Sequence, residues 1–251
     1  MAKKKAAKKV AKKAVTKKRA ANKTATSTKP PLTKKQRAER AAKAVEREIA
    51  RRNKIFSAAT AAEKRVLVAK DVIAQIKLKR IEAVSGAWVN PTRYAAFDPD
   101  GPNVTNDGNV ANRSAQKDLL SGATGTCSCC ALGAMFVSCT LFNNQTTALD
   151  LHQIQWSLGD MIEADEKLSN GLNKFFSAQQ LRLIEQAFEG GHGQFTEDVD
   201  AGDEESDNPA DRAAVKLSQR LLSWEDKYRN DEDRLIAIMK NIIKNNGTFK
   251  P

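Results

Sequence analysis

Residues 129–142 read "CCALGAMFVSCTLF". None is charged, and the polar exceptions, Ser138 and Thr140, are small. A helix that is apolar all round belongs inside a core rather than on its surface. Gly133 and Ala134 allow neighbouring elements to approach closely, and free cysteine is among the most buried residue types. The segment is read as the central helix of a globular domain, with cysteine serving as a small hydrophobe.

Two other readings compete for the same residues. Cys127, Cys129, Cys130 and Cys139 are the chain's four cysteines. Cys127 and Cys130 have C-x-x-C spacing, Thr126 and Ser128 are in position to cap a helix, and a helix N-terminus lowers a thiol pKa. A redox site would use Cys127 as the exposed nucleophile and Cys130 as the resolving thiol. It requires a preceding strand, and "AQKDLLSGATGT" (115–126) does not read as one. A zinc site would take Cys127 and Cys130 as two of its ligands and draw the rest from Cys129, Cys139, His152 or His192. It lacks the second paired knuckle of structural zinc sites. Burial is the preferred reading, so neither metal nor cofactor is expected, with Cys127 and Cys130 as the alternative metal candidates.

Helical patterns surround this segment. Thr60 and Glu63 have capping-box spacing ahead of Val66, Ala69, Val72/Ile73 and Ile76, a stripe at helical period. "IEAVSGAWVNP" (81–91) suggests one edge of a small hairpin. Residues 90–112 are turn-rich, and their Asp and Asn positions do not fit the EF-hand template for calcium. Residues 146–168 read as a poorly periodic helix. Ser177 and Gln180 open another in which Leu181, Ile184 and Phe188 form the stripe, ended by Gly190-Gly191. Residues 196–209 carry seven acids and no base, an acidic loop. Asn208-Pro209 starts a helix with Ala214, Leu217, Leu221 and Trp224 on one face. Asn230 caps the last, whose buried face is Leu235, Met239 and Ile242/Ile243, with Gly247 as its stop. The fold class is mainly α: a helical globular domain over residues 58–251, preceded by a basic linker helix (33–57) and a disordered basic arm (1–32).

Charge divides the chain sharply. Of its 42 Lys/Arg, 18 lie in residues 1–50 against three acids, Glu39, Glu46 and Glu48, a balance of +15. The other 201 residues hold 24 bases and 27 acids, a balance of −3. The first thirty residues contain 12 Lys/Arg, no acid and no aromatic. Such a segment cannot bury enough apolar surface to offset its conformational entropy, so disorder is expected in the free protein. Its cations, Lys3, Lys4, Lys5, Lys8, Lys9, Lys12, Lys13, Lys17, Lys18, Arg19, Lys23 and Lys29, continue into Lys34 and Lys35, and together they form the candidate nucleic-acid-binding set. Lysine pairs at four- or five-residue intervals repel one another on a helix, and bound phosphates would relieve that repulsion. Beyond Pro30-Pro31, Thr33 and Gln36 have capping-box spacing before a helix over 34–54. Its stripe of Ala38, Ala41/Ala42, Val45 and Ile49 is thin and implies weak docking.

The arm resembles, in composition, the Lys/Ala-rich tails of linker histones and bacterial histone-like proteins. That resemblance implies sequence-independent binding to backbone phosphates. The arm has no aromatics for base stacking and no recognition helix, so base-specific readout is not expected. "CCALGAMFVS", "FFSAQQLRLIEQAFE" and "RLIAIMKNIIKNNGTFKP" resemble small uncharacterised proteins of bacterial and phage genomes. The second resemblance carries no activity and no site residues, and implies a cytoplasmic bacterial or phage setting.

The expected function is therefore sequence-independent nucleic-acid binding, with DNA ahead of RNA as partner and no membrane. The alternative is a zinc- or thiol-dependent protein whose tail serves localisation alone. No run approaches the ~18 to 20 apolar residues of a membrane helix, and no apolar h-region follows the basic N-terminus. A cytoplasmic location is expected, nucleoid-associated, or nuclear in a eukaryotic host. No P-loop, dinucleotide-binding glycine pattern, H-E-x-x-H or G-x-S-x-G occurs, the two histidines have no evident partners, and a non-enzyme is expected.

Overall fold

In a computed structural model, the described residues are 32–92, 114–143, 171–190 and 216–251, positions 218, 222 and 225 excepted. They are mainly helical, with one small sheet. The chain divides into two units, Met1–Ala41 and Ala42–Pro251. In the first, the described residues open helix α1 (Lys34–Ala58). Its start is a reciprocal capping box. The Gln36 amide donates to Thr33 Oγ1 at 3.2 Å, and the Thr33 amide donates to Gln36 Oε1 at 3.0 Å.

In the second unit, α2 (Ala61–Lys77) begins with the Thr60–Glu63 capping box that the spacing implies. Its inner face is Val68, Ala69, Val72 and Ile76, while Val66 is only half-buried. The chain then forms β1 (Ile81–Ala83) and β2 (Val89–Pro91). The stretch read as one edge of a hairpin thus holds two short strands, and they do not pair with each other. Strand β3 (Cys127–Cys129) lies between them, parallel to β1 and antiparallel to β2. Cys127 is opposite Ile81 on one side and Pro91 on the other. Pro91 has no amide to donate, which suits the edge strand it occupies.

Between β2 and β3 lies α3 (Ala115–Ser121), capped by Ser114. Strand β3 runs directly into α4 (Ala131–Phe142), every residue of which is buried. Helix α4 is the expected central helix, but it starts later than its apolar run, because Cys129 belongs to the strand. Neither Thr126 nor Ser128 caps it. Cys130 does, its Sγ accepting the Gly133 amide at 3.4 Å. Gly133 is required here by close approach. A Cβ at that position would lie 1.6 Å from the Trp88 carbonyl oxygen.

Helix α5 (Ala178–Glu189) and helix α6 (Asp231–Lys244) complete the core. Ser177 and Asn230 cap them, and Leu181, Ile184, Phe188, Leu235, Met239 and Ile242 are buried, as their spacing implies. The described residues between 216 and 227 are helical as well, and of these Leu221 is buried and Leu217 and Trp224 are half-buried. Asn245 is the C-cap of α6, and Asn246 takes the left-handed conformation at φ 51°. Gly247, expected as the stop, follows at φ 91°, its amide donating to the Ile242 carbonyl, and is packed close to the Ala62 carbonyl. The readings of residues 93–113, 144–170 and 191–215 lie outside the described residues.

Helix α1 joins this core more firmly than its alanine stripe suggests. Val45 and Ile49 pack against it half-buried, and Phe56 is buried. The Phe56 ring stacks on Phe142 at 5.3 Å and meets Phe175 edge-on at 5.6 Å.

Candidate nucleic-acid interface and the cysteine segment

Lys3, Lys4, Lys5, Lys8, Lys9, Lys12, Lys13, Lys17, Lys18, Arg19, Lys23 and Lys29 lie outside the described residues. Lys34 and Lys35 occupy the first turn of α1, and both are exposed. No described residue pairs with either.

Farther along α1, four more cations share one face. Lys43, Arg47, Arg51 and Lys54 recur at i, i+4, i+8 and i+11, which on a 3.6-residue helix confines them to an arc of about 80°. All four are exposed or half-exposed along the helix's outer side. The apolar residues Val45, Ile49 and Phe56 take the opposite side, against the body. Arg47 uses Nε to donate to the Lys43 carbonyl at 3.2 Å. Arg51 makes a two-pronged pair with Glu48, at 2.8 and 2.6 Å. Glu48 also accepts from Arg52 at 2.9 Å, and the guanidinium groups of Arg51 and Arg52 hold its carboxyl down at about 2. The cation set drawn from composition stops at Lys35. The spacing within 43–54 is the sequence signal for the remainder.

The cysteines form a different environment. All four are free and buried. Cys127, the exposed nucleophile of the redox reading, retains 1% of its surface, because its side chain belongs to the hydrophobic core. Burial pushes its thiol up to about 11, partly offset by a hydrogen bond with Thr124. Burial likewise raises Cys129, Cys130 and Cys139 well above the ordinary thiol value. Cys130 sits at a helix N-terminus, yet burial outweighs the Gly133 hydrogen bond that favours its thiolate. Nucleophilic thiols need the reverse balance. Among the described residues, no group of three or more His, Cys, Asp or Glu side chains is placed to hold a metal ion. His152 and His192 lie outside them.

A polar feature that the sequence did not announce lies beside the α4 N-terminus. Glu189 accepts the Gly86 amide at 2.8 Å. One turn earlier on α5, Glu185 is 5% exposed, and its Oε2 has no partner among the described residues. Burial first, and then the neighbouring Glu189 charge, raise the Glu185 carboxyl to about 8, against the pull of Arg182.

No described helix is long and apolar enough to cross a membrane. No protein-family model, curated protein or solved structure matches the chain.

Proposed function

We propose that this chain is a sequence-independent nucleic-acid-binding protein, not an enzyme, whose Lys/Ala arm neutralises backbone phosphates. The observation that carries this reading is the placement of charge: +15 in residues 1–50 against −3 in the rest. Duplex DNA carries about one negative charge per 1.7 Å of axis, and its condensed counterions are released when lysines replace them. A segment with no aromatic and no acid in its first thirty residues suits that role and offers no stacking platform for bases. DNA is the preferred partner over RNA.

The burial of all four cysteines gives a thiol function no accessible nucleophile to work with. The test is titration of the full chain onto random-sequence duplex DNA over a range of salt. If ~5 to 8 phosphates are neutralised, log affinity should fall with log salt at a slope of about −4.5 to −7. Absent or salt-independent binding would refute the reading.

A further inference from the structure

We infer that the solvent face of α1 formed by Lys43, Arg47, Arg51 and Lys54 is a second, rigid phosphate-binding surface for duplex nucleic acid, and that Glu48 restrains it by holding Arg51. The inference rests on the nucleic-acid reading and extends it from the arm to the folded unit. These cations span eleven residues of helix, about 16 Å. A straight cationic row of that length complements a rod with regularly spaced charge.

The supporting geometry is two-sided. Val45, Ile49 and Phe56 are turned to the body, and Phe56 is locked between Phe142 and Phe175. The row is therefore held by packing and cannot fold away from solvent. The same packing favours nucleic acid over a lipid surface. An interfacial helix inserts its apolar side into the headgroup boundary, whereas Val45, Ile49 and Phe56 of α1 already pack against the body. Arginine suits phosphate because its guanidinium donates two parallel hydrogen bonds. Arg51 already spends that pair on the Glu48 carboxylate, so phosphate must displace Glu48 to recruit it. Arg52 is not part of the row. It also pairs with Glu48, but its Nη1 is committed to Asp71 of α2 at 2.8 Å.

The experiment compares four full-length chains on random duplex DNA: the unaltered protein, an arm variant with the lysines of residues 3–29 changed to glutamine, a helix variant Arg47→Gln/Arg51→Gln/Lys54→Gln, and Glu48→Gln. The three helix positions lie outside the core and glutamine favours helix, so circular dichroism and the thermal midpoint should match the parent. The helix variant should lose about 2 to 3 from the salt slope and at least about tenfold in affinity. The arm variant should keep a shallower, measurable slope. Glu48→Gln removes the competing charge, leaves an amide oxygen for Arg52, and should steepen the slope by about 0.9. A helix variant indistinguishable from the parent, beside an arm variant that no longer binds, would overturn the inference and leave the arm reading standing. An unaltered chain that does not bind DNA would remove both. A slope unchanged in Glu48→Gln would overturn the role given to Glu48.

Discussion

Arg52 on α1 donates to Asp71 on α2 at 2.8 Å, with 11% and 5% of their side chains exposed. The pair stands inside a network. Asp71 Oδ1 also accepts from Gln75 at 3.0 Å, and Oδ2 accepts from Ser138 of α4 at 2.7 Å. The Arg52 guanidinium further lies over the Phe142 ring, 5.1 Å from its centre. One buried carboxylate thus connects three helices. Removing one partner of such a pair leaves an uncompensated charge, whereas replacing both with apolar groups can be nearly neutral. Arg52→Ala should therefore cost about 3 to 5 kcal/mol by urea unfolding. The double variant Arg52→Leu/Asp71→Leu removes both charges but also the acceptor of Gln75 and Ser138, and should lose less than the sum of the two single-variant losses. Additive losses in the double variant would show that the two residues act independently.

Gly133 supplies a test of how tightly α4 meets the strand region. Elsewhere on an exposed helix, glycine to alanine gains about 1 kcal/mol. Here the new methyl would occupy the position of the Trp88 carbonyl oxygen, and a backbone atom cannot rotate aside. Gly133→Ala should destabilise by about 3 kcal/mol or more. Gly171→Ala, whose methyl would meet the Phe136 ring at an ordinary 3.9 Å, is the control and should be tolerated. Equal thermal midpoints for the two variants would contradict the packing described.

Features set by neighbouring residues are readable in the chain, and features set by distant pairing are not. The caps Thr33, Thr60, Ser177 and Asn230 each lie three residues from the amide they accept, so sequence spacing alone exposes them. Strand β3 is three residues long, and no period can show in Cys-Ser-Cys. It is a strand because Ile81 and Val89 bring β1 and β2 to its two sides. Cys130 as a cap is hidden for another reason: thiols are not among the side chains that ordinarily cap helices. The docking of α1 is underestimated from sequence because the helix is read as ending at residue 54, short of the buried Phe56, and because Arg52 stands among its apolar positions. A cation in a stripe reads as surface until its partner Asp71 is known to be buried. The cationic row at 43–54 is legible from spacing, while the restraint on Arg51 depends on side-chain geometry.

The cysteine environment makes a chemical prediction that differs from the sequence-based one. An exposed Cys127 would react first. With its thiol raised to about 11 and its side chain buried in the core, it should be as unreactive toward a thiol reagent near neutral pH as the other three. All four should react rapidly after denaturation. Cys130→Ser, read from sequence alone, places a hydroxyl without a guaranteed partner in a packed site. The Gly133 amide is that partner, and serine caps helices well, so this variant should change stability by less than about 1 kcal/mol. Cys130→Ala, which loses the cap, should cost about 1 kcal/mol. Rapid labelling of Cys127 in the native protein would contradict its burial. A large loss in Cys130→Ser would contradict its role as the cap.

Glu185 should make the protein less stable as pH rises. Its carboxyl has an ordinary value of 4.5 and is raised to about 8 in the fold, chiefly by burial and secondly by Glu189. Between those values the folded chain holds a proton that the unfolded chain has released. Stability therefore falls with pH across that window. Below 4.5 both states are protonated and the penalty is absent; above about 8 both are ionised and it is complete. The full effect is on the order of a few kcal/mol, because a tenfold change in proton affinity between the two states is worth about 1.4 kcal/mol. Glu185→Gln keeps the shape of the side chain and cannot ionise. Its urea midpoint should show a smaller decline than the parent's between pH 5 and about 8, and the two should diverge most at the alkaline end. Parallel curves for the parent and Glu185→Gln would show that this carboxyl is ionised in the fold, and therefore better solvated or better partnered than its burial between α5 and the α4 N-terminus implies.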